Sequence, residues 1–468
     1  MEADPTPARI NQRLSGLLHD AGWRPEALAR RINAVLAARG NSRRVHAKTP
    51  YKWITDGAVP HGDIPDLVVE MLSTHLQTEL VYADVWGQVA SRAQPALPAN
   101  HAMDLPWDCN GLLSLVGGPV PTRRTIIAVT GAALTAPAWT ALQQPVPDLV
   151  AAAGEGGPVT TPLLDMIDTV VAHAQRLDDN QGGAARGFVG DQFNAVARLL
   201  RRASYNAAAG RRLAAALAQL AQTAGFMAFD AGEDGVAQRW YLTALRAAHA
   251  AADPGLAASV LALMSNQAAD RGHALDALQL AAAAQESARS TPPAVRALIA
   301  ARSSLAHAVA GDIASYSQMR HNTLELLNAK PDAPLPRWAS YIERVELDAI
   351  TGRGLVVLAE RVPTRRKQLL REAGQLLHAR AHTRADEAPQ RSALRHGAWL
   401  SLAHHAAGDL DLAVSTARLA LGRLPAVNSA RSVELLLRLH DELAPAASRC
   451  PAVRDLVTEL RTLPTPGR

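Results

Sequence analysis

The sequence predicts an all-α chain in two parts, a small helix-turn-helix-like module followed by a long array of paired helices. Three observations predict it. Ala and Leu dominate a composition with only 4% aromatics, and β-branched runs are few, so summed propensity favours helix through most of the chain. Pro, Gly and Thr punctuate the first ninety residues at helix-length intervals. Beyond about residue 163, small residues and glycines recur at a period near 40. At 468 residues the chain is too long for one ordinary core.

The first part reads as four helices, about Pro7–Asp20, Pro25–Arg39, Pro50–Thr55 and Ile64–Leu76. Gly22 can close the first, Pro25 suits the opening turn of the second, and Gly40 follows its end. Thr49 before Pro50 offers an N-cap for the third. In this short helix Lys48, Tyr51 and Lys52 are expected outside, Trp53 and Ile54 inside, with Gly57 turning the chain and Pro60 stopping it. A recognition helix is built this way, its outer side chains meeting phosphates and base edges while an apolar residue locks it to the core. Charge agrees with that reading. From Arg24 to Lys52 eight bases face a single acid, Glu26, a local balance of +7 within a chain of net charge +5. Residues 53–91 then carry six acids and no Lys or Arg. A basic patch confined to one segment is the footprint of phosphate binding; a solvated basic surface is the alternative.

Ten prolines between Pro95 and Pro162 exclude continuous helix, so 93–160 reads as a linker with one or two short helices ending at Gly154–Gly157. Within it Arg123 and Arg124 precede an apolar run, Thr125 to Leu142, that imitates an export signal. The run lies far from the N-terminus and is broken by Thr130, Gly131, Thr135 and Pro137, which favours a buried helix.

In the second part Gly225, Gly232, Ala237, Tyr241 and Ala244 fall at offsets of zero, seven, twelve, sixteen and nineteen. These are tetratricopeptide offsets: small residues stand where two antiparallel helices cross, because close backbones leave no room for long side chains. The loop glycine recurs at Gly272, Gly311, Gly352 and Gly408. Ser265, Ala277, Ala281 and Ala284 accompany Gly272, and Ser401, Ala413, Ala417 and Ala420 accompany Gly408. The pattern is clearest at 225–285 and 397–421 and most degenerate at 337–380. The organisation expected is therefore a helix-turn-helix-like domain over 1–92, the linker over 93–160, a tetratricopeptide-like α-solenoid over 161–445, and over 446–468 a cap and tail with one helix near Ala452–Leu460.

With these residues in view the chain resembles the actinobacterial tetratricopeptide-repeat regulators of differentiation and antibiotic production, the NsdA-type family. The similar passages are Leu17–Trp23 with Leu28–Arg30, the Trp53–Pro60 turn, Arg123–Arg124 with Ala136–Pro137, and Gly210–Leu213 running into Ala224–Gly232 and Ala237–Tyr241. They lie within residues 10–425, and the repeat passage is the specific part. The resemblance implies a transcription-associated regulator, often repressing development or secondary metabolism. The chain departs from compact helix-turn-helix repressors at Arg39–Lys48, where the segment between the second and third helices is longer.

Arg43, Arg44, Lys48, Thr49, Tyr51 and Lys52 are the candidate contacts to double-stranded DNA, with Arg43 and Arg44 on phosphate and Lys48, Tyr51 and Lys52 nearer the bases. On the concave face of the repeats, Gln222, Phe226, Phe229, Asn266, Ala269 and Asp270 are placed to meet a peptide or protein. Asn266 is the sharpest of these, since an inward amide offers donor and acceptor together; its bland alternative is a bond to a neighbouring helix. A homodimer is expected, because two half-sites multiply the specificity of a small module. No enzyme, cofactor or metal is expected. The Gly182–Gly190 cluster lacks the Lys-Ser/Thr of a phosphate loop, and the i, i+4 pair His378 and His382 lacks a third ligand. Two cysteines, Cys109 and Cys450, make no disulfide framework, and a cytoplasmic protein without membrane attachment is expected. The rival class is a repeat adaptor that acts through protein contacts alone.

Overall fold

The structure, a computed structural model, describes residues 11–38, 44–60, 64–76, 78, 80, 82–86, 105–117, 128–151, 156–330, 334–387 and 389–464. These form an all-α chain of twenty-one α-helices and four 3-10 turns, with nothing more extended than isolated β-bridges among the described residues. It divides into two compact units, Met1–Pro95 and Ala96–Arg468.

The first unit holds α1 (Gln12–Asp20), α2 (Pro25–Ala38), α3 (Thr49–Thr55), α4 (Ile64–Leu76) and α5 (Tyr82–Trp86). Asn11 caps α1 by accepting from the Leu14 amide, and Gly22, at φ +64°, ends it with the Trp23 amide donating back to the Leu18 carbonyl. Leu14, Leu18, Leu28, Ile32, Leu36, Trp53, Val68, Leu72, Val85 and Trp86 make the core. The α5 helix was not expected; it brings Trp86 edge-on to Trp53, with ring centres 5.8 Å apart. Thr49 is the first residue of α3 and not its cap: Lys48 holds that position and makes no side-chain cap bond. Gly40 and the expected start at Pro7 lie outside the described residues.

The second unit contains α6 (Cys109–Val116), α7 (Ala132–Gln143), α8 (Thr161–Gln181), α9 (Arg186–Arg202), α10 (Ala207–Asp230), α11 (Asp234–Ala250), α12 (Pro254–Asp270), α13 (Ala274–Ser287), α14 (Pro293–Ala310), α15 (Ile313–Asn328), α16 (Arg344–Arg361), α17 (Arg366–Ala381), α18 (Gln390–Ala407), α19 (Leu410–Leu421), α20 (Ala430–Leu443) and α21 (Pro451–Leu460). The expected linker is part of this body. Leu112, Val116, Leu134, Ala138 and Leu149 join its apolar core, α6 packs on α9 and α11, and α7 packs on α11 and α13. Polar ties fix the same stretch: Gln238 exchanges two hydrogen bonds with the Val129 backbone, and Arg246 donates to the Leu105 and Pro106 carbonyls while covering the Trp107 ring. Arg123, Arg124 and the start of the apolar run lie outside the described residues, and its second half is α7, with Pro137 buried inside the helix. No helix among the described residues is long and apolar enough to cross a membrane.

From α10 onward the helices pair antiparallel, and the small-residue offsets mark the crossings. Ser265 donates to the Ala277 carbonyl at 2.8 Å and Ser401 to that of Ala413 at 2.6 Å, the same bond in two pairs. A Cβ on Gly225 would stand 2.8 Å from the Tyr241 ring. Gly232, Gly272, Gly311 and Gly408 turn the loops at φ between +75° and +90°. Gly352 does not. It is buried within α16, where a Cβ would come within 2.9 Å of Leu376 on α17, so it lets two helices approach and the turn of that pair falls at Val362–Arg365.

The solenoid closes. Helices α8, α10, α12, α14, α16 and α18 each pack on the next, and α18 returns to α8, so the concave face becomes the interior of a ring, with α11, α13, α15, α17 and α19 outside it. The seam is polar. Arg391 on α18 donates to the main-chain carbonyl of Asp178 on α8 at 3.0 Å and to its carboxylate at 2.9 Å. Asn428 donates to the Gln181 carbonyl and accepts from the Gly183 amide. Gly182 is required there, because a Cβ would lie 2.4 Å from the Asn428 oxygen. Arg431, on α20, donates to the Phe229 carbonyl and the Asp234 carboxylate. That helix was missed by the expectation of one capping helix, although Ser429 as cap and Val433, Leu436, Leu439 and Leu443 at helical spacing announce it.

Candidate functional site

In the first unit, α3 carries the candidate DNA contacts. Trp53, 4% exposed, and Pro50 fix its inner side, which turns Lys48, Tyr51 and Lys52 outward at spacings of three and four residues. Thr49 is half-buried. Arg44 is exposed beside Val45, whose backbone is held in both directions by the Asn33 side chain at 2.7 and 2.8 Å. Val45 is thereby pinned to α2 just before the basic residues of α3 begin. Arg43 lies outside the described residues. Tyr51 donates its hydroxyl to Glu26 at 2.6 Å; this bond lowers the Glu26 carboxyl and raises the Tyr51 phenol from their ordinary ranges. The single acid of the basic segment thus sits on the candidate face and positions one of its residues. Trp23 lies in the core, with Arg31 across its ring at 4.5 Å.

In the second unit, the inner helices bring most of the candidate partner contacts around one cavity of about 120 Å³. Phe226 and Phe229 from α10 and Asn266 from α12 line it, and Asp270 is held at its edge by Arg353 of α16 and by Arg395 of α18, the latter at 2.8 Å. Gln222 lies one turn before Phe226 with its Oε1 buried and without a partner. Ala269 faces a neighbouring cavity of about 320 Å³ that shares Leu305 and Arg395. Phe229 is 2% exposed, covered by the Arg431 guanidinium 3.9 Å above its ring, and Arg391 lies 4.3 Å above Phe226. Ring closure therefore encloses the face that an extended peptide would have to reach.

What the sequence reading missed is that the later inner helices supply arginines to this space: Arg302, Arg353, Arg391 and Arg395. Their environments differ. Burial pulls Arg391 down, but Asp178 and Asp179 overcome it and leave the guanidinium above its ordinary value. Burial, reinforced by Arg395 and Arg431, drives Arg353 well below its usual range. Burial likewise holds His396 neutral, with Arg395, Arg353 and Arg380 around it, while its Nδ1 donates to the Ser392 carbonyl at 2.9 Å. Asp178 is pushed by burial to about 7 despite Arg391. Burying so many charges is expensive unless each finds a partner. A period search on small residues does not register them, since Arg at these positions reads as exposed surface until the ring is seen to close.

Elsewhere His378 and His382 stack on each other at 4.0 Å, and among the described residues no three His, Cys, Asp or Glu gather to hold a metal ion. Cys109 and Cys450 are free thiols. No curated protein and no solved structure matches the chain. Residues 14–85, spanning α1 to α5 without their outermost residues, match the family model of the SP15 N-terminal domain, so similarity to a known family attaches to the unit that carries the basic helix.

Proposed function

We propose that the protein is a DNA-binding transcriptional regulator of development or secondary metabolism, whose N-terminal unit docks α3 on duplex DNA and whose helical ring receives an effector. The observation that carries the reading is the outward set Arg44, Lys48, Tyr51 and Lys52 on a small helical unit that buries Trp53 beneath them. The resemblance to actinobacterial repeat regulators supports it. Lys and Arg on one face supply sequence-independent affinity through phosphates, and Tyr51, held by Glu26, presents a fixed hydroxyl and ring edge. A homodimer placing two such units on paired half-sites belongs to the same proposal.

The test is enrichment of fragmented genomic DNA by the full-length protein beside a variant with Glu at Arg43, Arg44, Lys48 and Lys52. A shared site, recovered by the first and lost by the second, with affinity that falls steeply with salt, supports the regulator. Equal, unenriched recovery from both replaces it with the adaptor, a repeat protein working through protein contacts.

A further inference from the structure

The arginines of the ring interior are not all neutralised. Arg302, 8% exposed, donates Nη1 to Ser259 Oγ at 3.1 Å and Nη2 to Tyr341 OH at 2.9 Å; both partners are neutral. Arg353, also 8% exposed, shares the single carboxylate of Asp270 with Arg395, and its Nε is buried with no partner. Across the same cavity Asn266 Oδ1 is a buried acceptor with nothing to accept from. Glu346 on the wall is engaged by Arg380 at 3.1 Å and Ser392 at 3.0 Å. Of the remaining wall, Phe226, Phe229, Leu263, Leu305 and Ile350 are apolar, Arg391 is held by Asp178, and His396 donates to the Ser392 carbonyl. Unpartnered buried groups of this kind are destabilising in an empty interior and become favourable when a ligand supplies what they lack.

We propose that this cavity binds a small carboxylate that also carries an N–H donor and an apolar group, in short a ligand of amino-acid size and chemistry. Its carboxylate meets Arg302 and the free Nε of Arg353, its N–H meets Asn266 Oδ1, and its side chain rests on Phe226 and Leu263. Size argues for the same class: at roughly 10–15 Å³ for each water-sized occupant, 120 Å³ holds on the order of ten non-hydrogen atoms and no peptide strand. The carboxylate can belong to a free amino acid, to its N-acyl derivative, or to the last residue of a peptide entering end-on. The inference goes beyond DNA binding and does not depend on it, because its test contains no DNA.

The experiment is thermal unfolding and titration calorimetry on the full chain with the proteinogenic amino acids, their N-acetyl forms, short peptides with free C-termini, and the corresponding primary amides. One or more free carboxylates should raise the melting temperature progressively with the logarithm of their concentration above Kd, and the matching amide should not. Binding by free peptides with none by free amino acids assigns the carboxylate to a chain terminus and keeps the proposal. Arg302→Gln should weaken binding about tenfold or more. Asn266→Leu, which keeps size and removes only the acceptor, should weaken it similarly without lowering the melting temperature of the free protein. An amide that binds as well as its acid, variants that bind as the parent does, or no response to any compound overturns the proposal.

Discussion

Arg391 and Asp178, 213 positions apart in sequence, are joined twice, guanidinium to main-chain carbonyl and guanidinium to carboxylate, with both residues buried. The pair holds the first inner helix to the last, and little of either side chain is exposed to solvent. Removing one member of a buried pair leaves the other uncompensated and typically costs about 3–5 kcal/mol, whereas replacing both by neutral groups of similar shape is much milder. Arg391→Ala should therefore lower the stability of the second unit by that amount in urea unfolding at pH 8, above the range in which Asp178 keeps its proton, while Asp178→Asn combined with Arg391→Met should recover much of the loss. Strictly additive losses would show that the pair is not what closes the ring.

Ala252 is the one non-glycine described residue at positive φ, +55°, in the turn between α11 and α12. The loops after Gly232, Gly272, Gly311 and Gly408 solve the same turn with glycine. An L-residue in the left-handed region loses about 1–2 kcal/mol, and glycine returns part of that as unfolded-state entropy. Ala252→Gly should then stabilise the protein by about 0.5–1 kcal/mol. A loss of stability on substitution would mean that the Ala252 side chain makes contacts worth more than the strain.

These two sites show what the sequence could and could not disclose. Helix identity and the crossings were legible wherever the cause is local: proline and glycine punctuation, and Gly225 or Ser265 facing a partner helix. Gly352 misled because a small residue serves a helix crossing and a loop equally well, and only its neighbours Leu376 and Leu377 decide which. The prolines at 95–162 were read as linker because proline reports broken helix and says nothing of whether short segments pack on a neighbour. Ring closure, and with it the arginine-lined interior, depends on contacts between residues some two hundred positions apart, and no local period encodes it. At the basic helix the residue types and spacing were legible, while the Tyr51–Glu26 bond was not.

Glu26 orients Tyr51 and places a carboxylate on the face proposed to meet phosphate, where it would repel a duplex. Removing a single exposed like charge near a polyanion changes affinity by a few-fold at low ionic strength, and the effect fades as salt shortens the screening length toward about 3 Å at 1 M. Glu26→Gln should tighten DNA binding roughly threefold to tenfold at 50 mM salt and little at high salt. Weaker binding across the range would mean instead that the fixed position of Tyr51 outweighs the repulsion.

Two buried groups of the ring give stability opposite dependences on pH. His396 stays neutral in the folded protein far below its ordinary 6.5, so from 6.5 downward only the unfolded chain takes up its proton, and stability is lost as pH falls. Asp178 keeps its proton in the folded protein up to about 7 against an ordinary 3.8, so between those values only the folded chain holds that proton, and stability is lost as pH rises. Each group alone gives a slope of at most about 1.4 kcal/mol per pH unit, and below pH 6.5 the two slopes oppose each other. Asp178→Asn should unmask the histidine, giving a variant whose stability relative to the parent falls progressively as pH is lowered from 6.5 toward 4. His396→Asn, which keeps a donor for the Ser392 carbonyl, should do the reverse and gain relative to the parent over the same interval. Urea unfolding of the three proteins at half-unit pH steps reads both differences, and parallel curves would show that these two side chains titrate in the fold as they do in the unfolded chain.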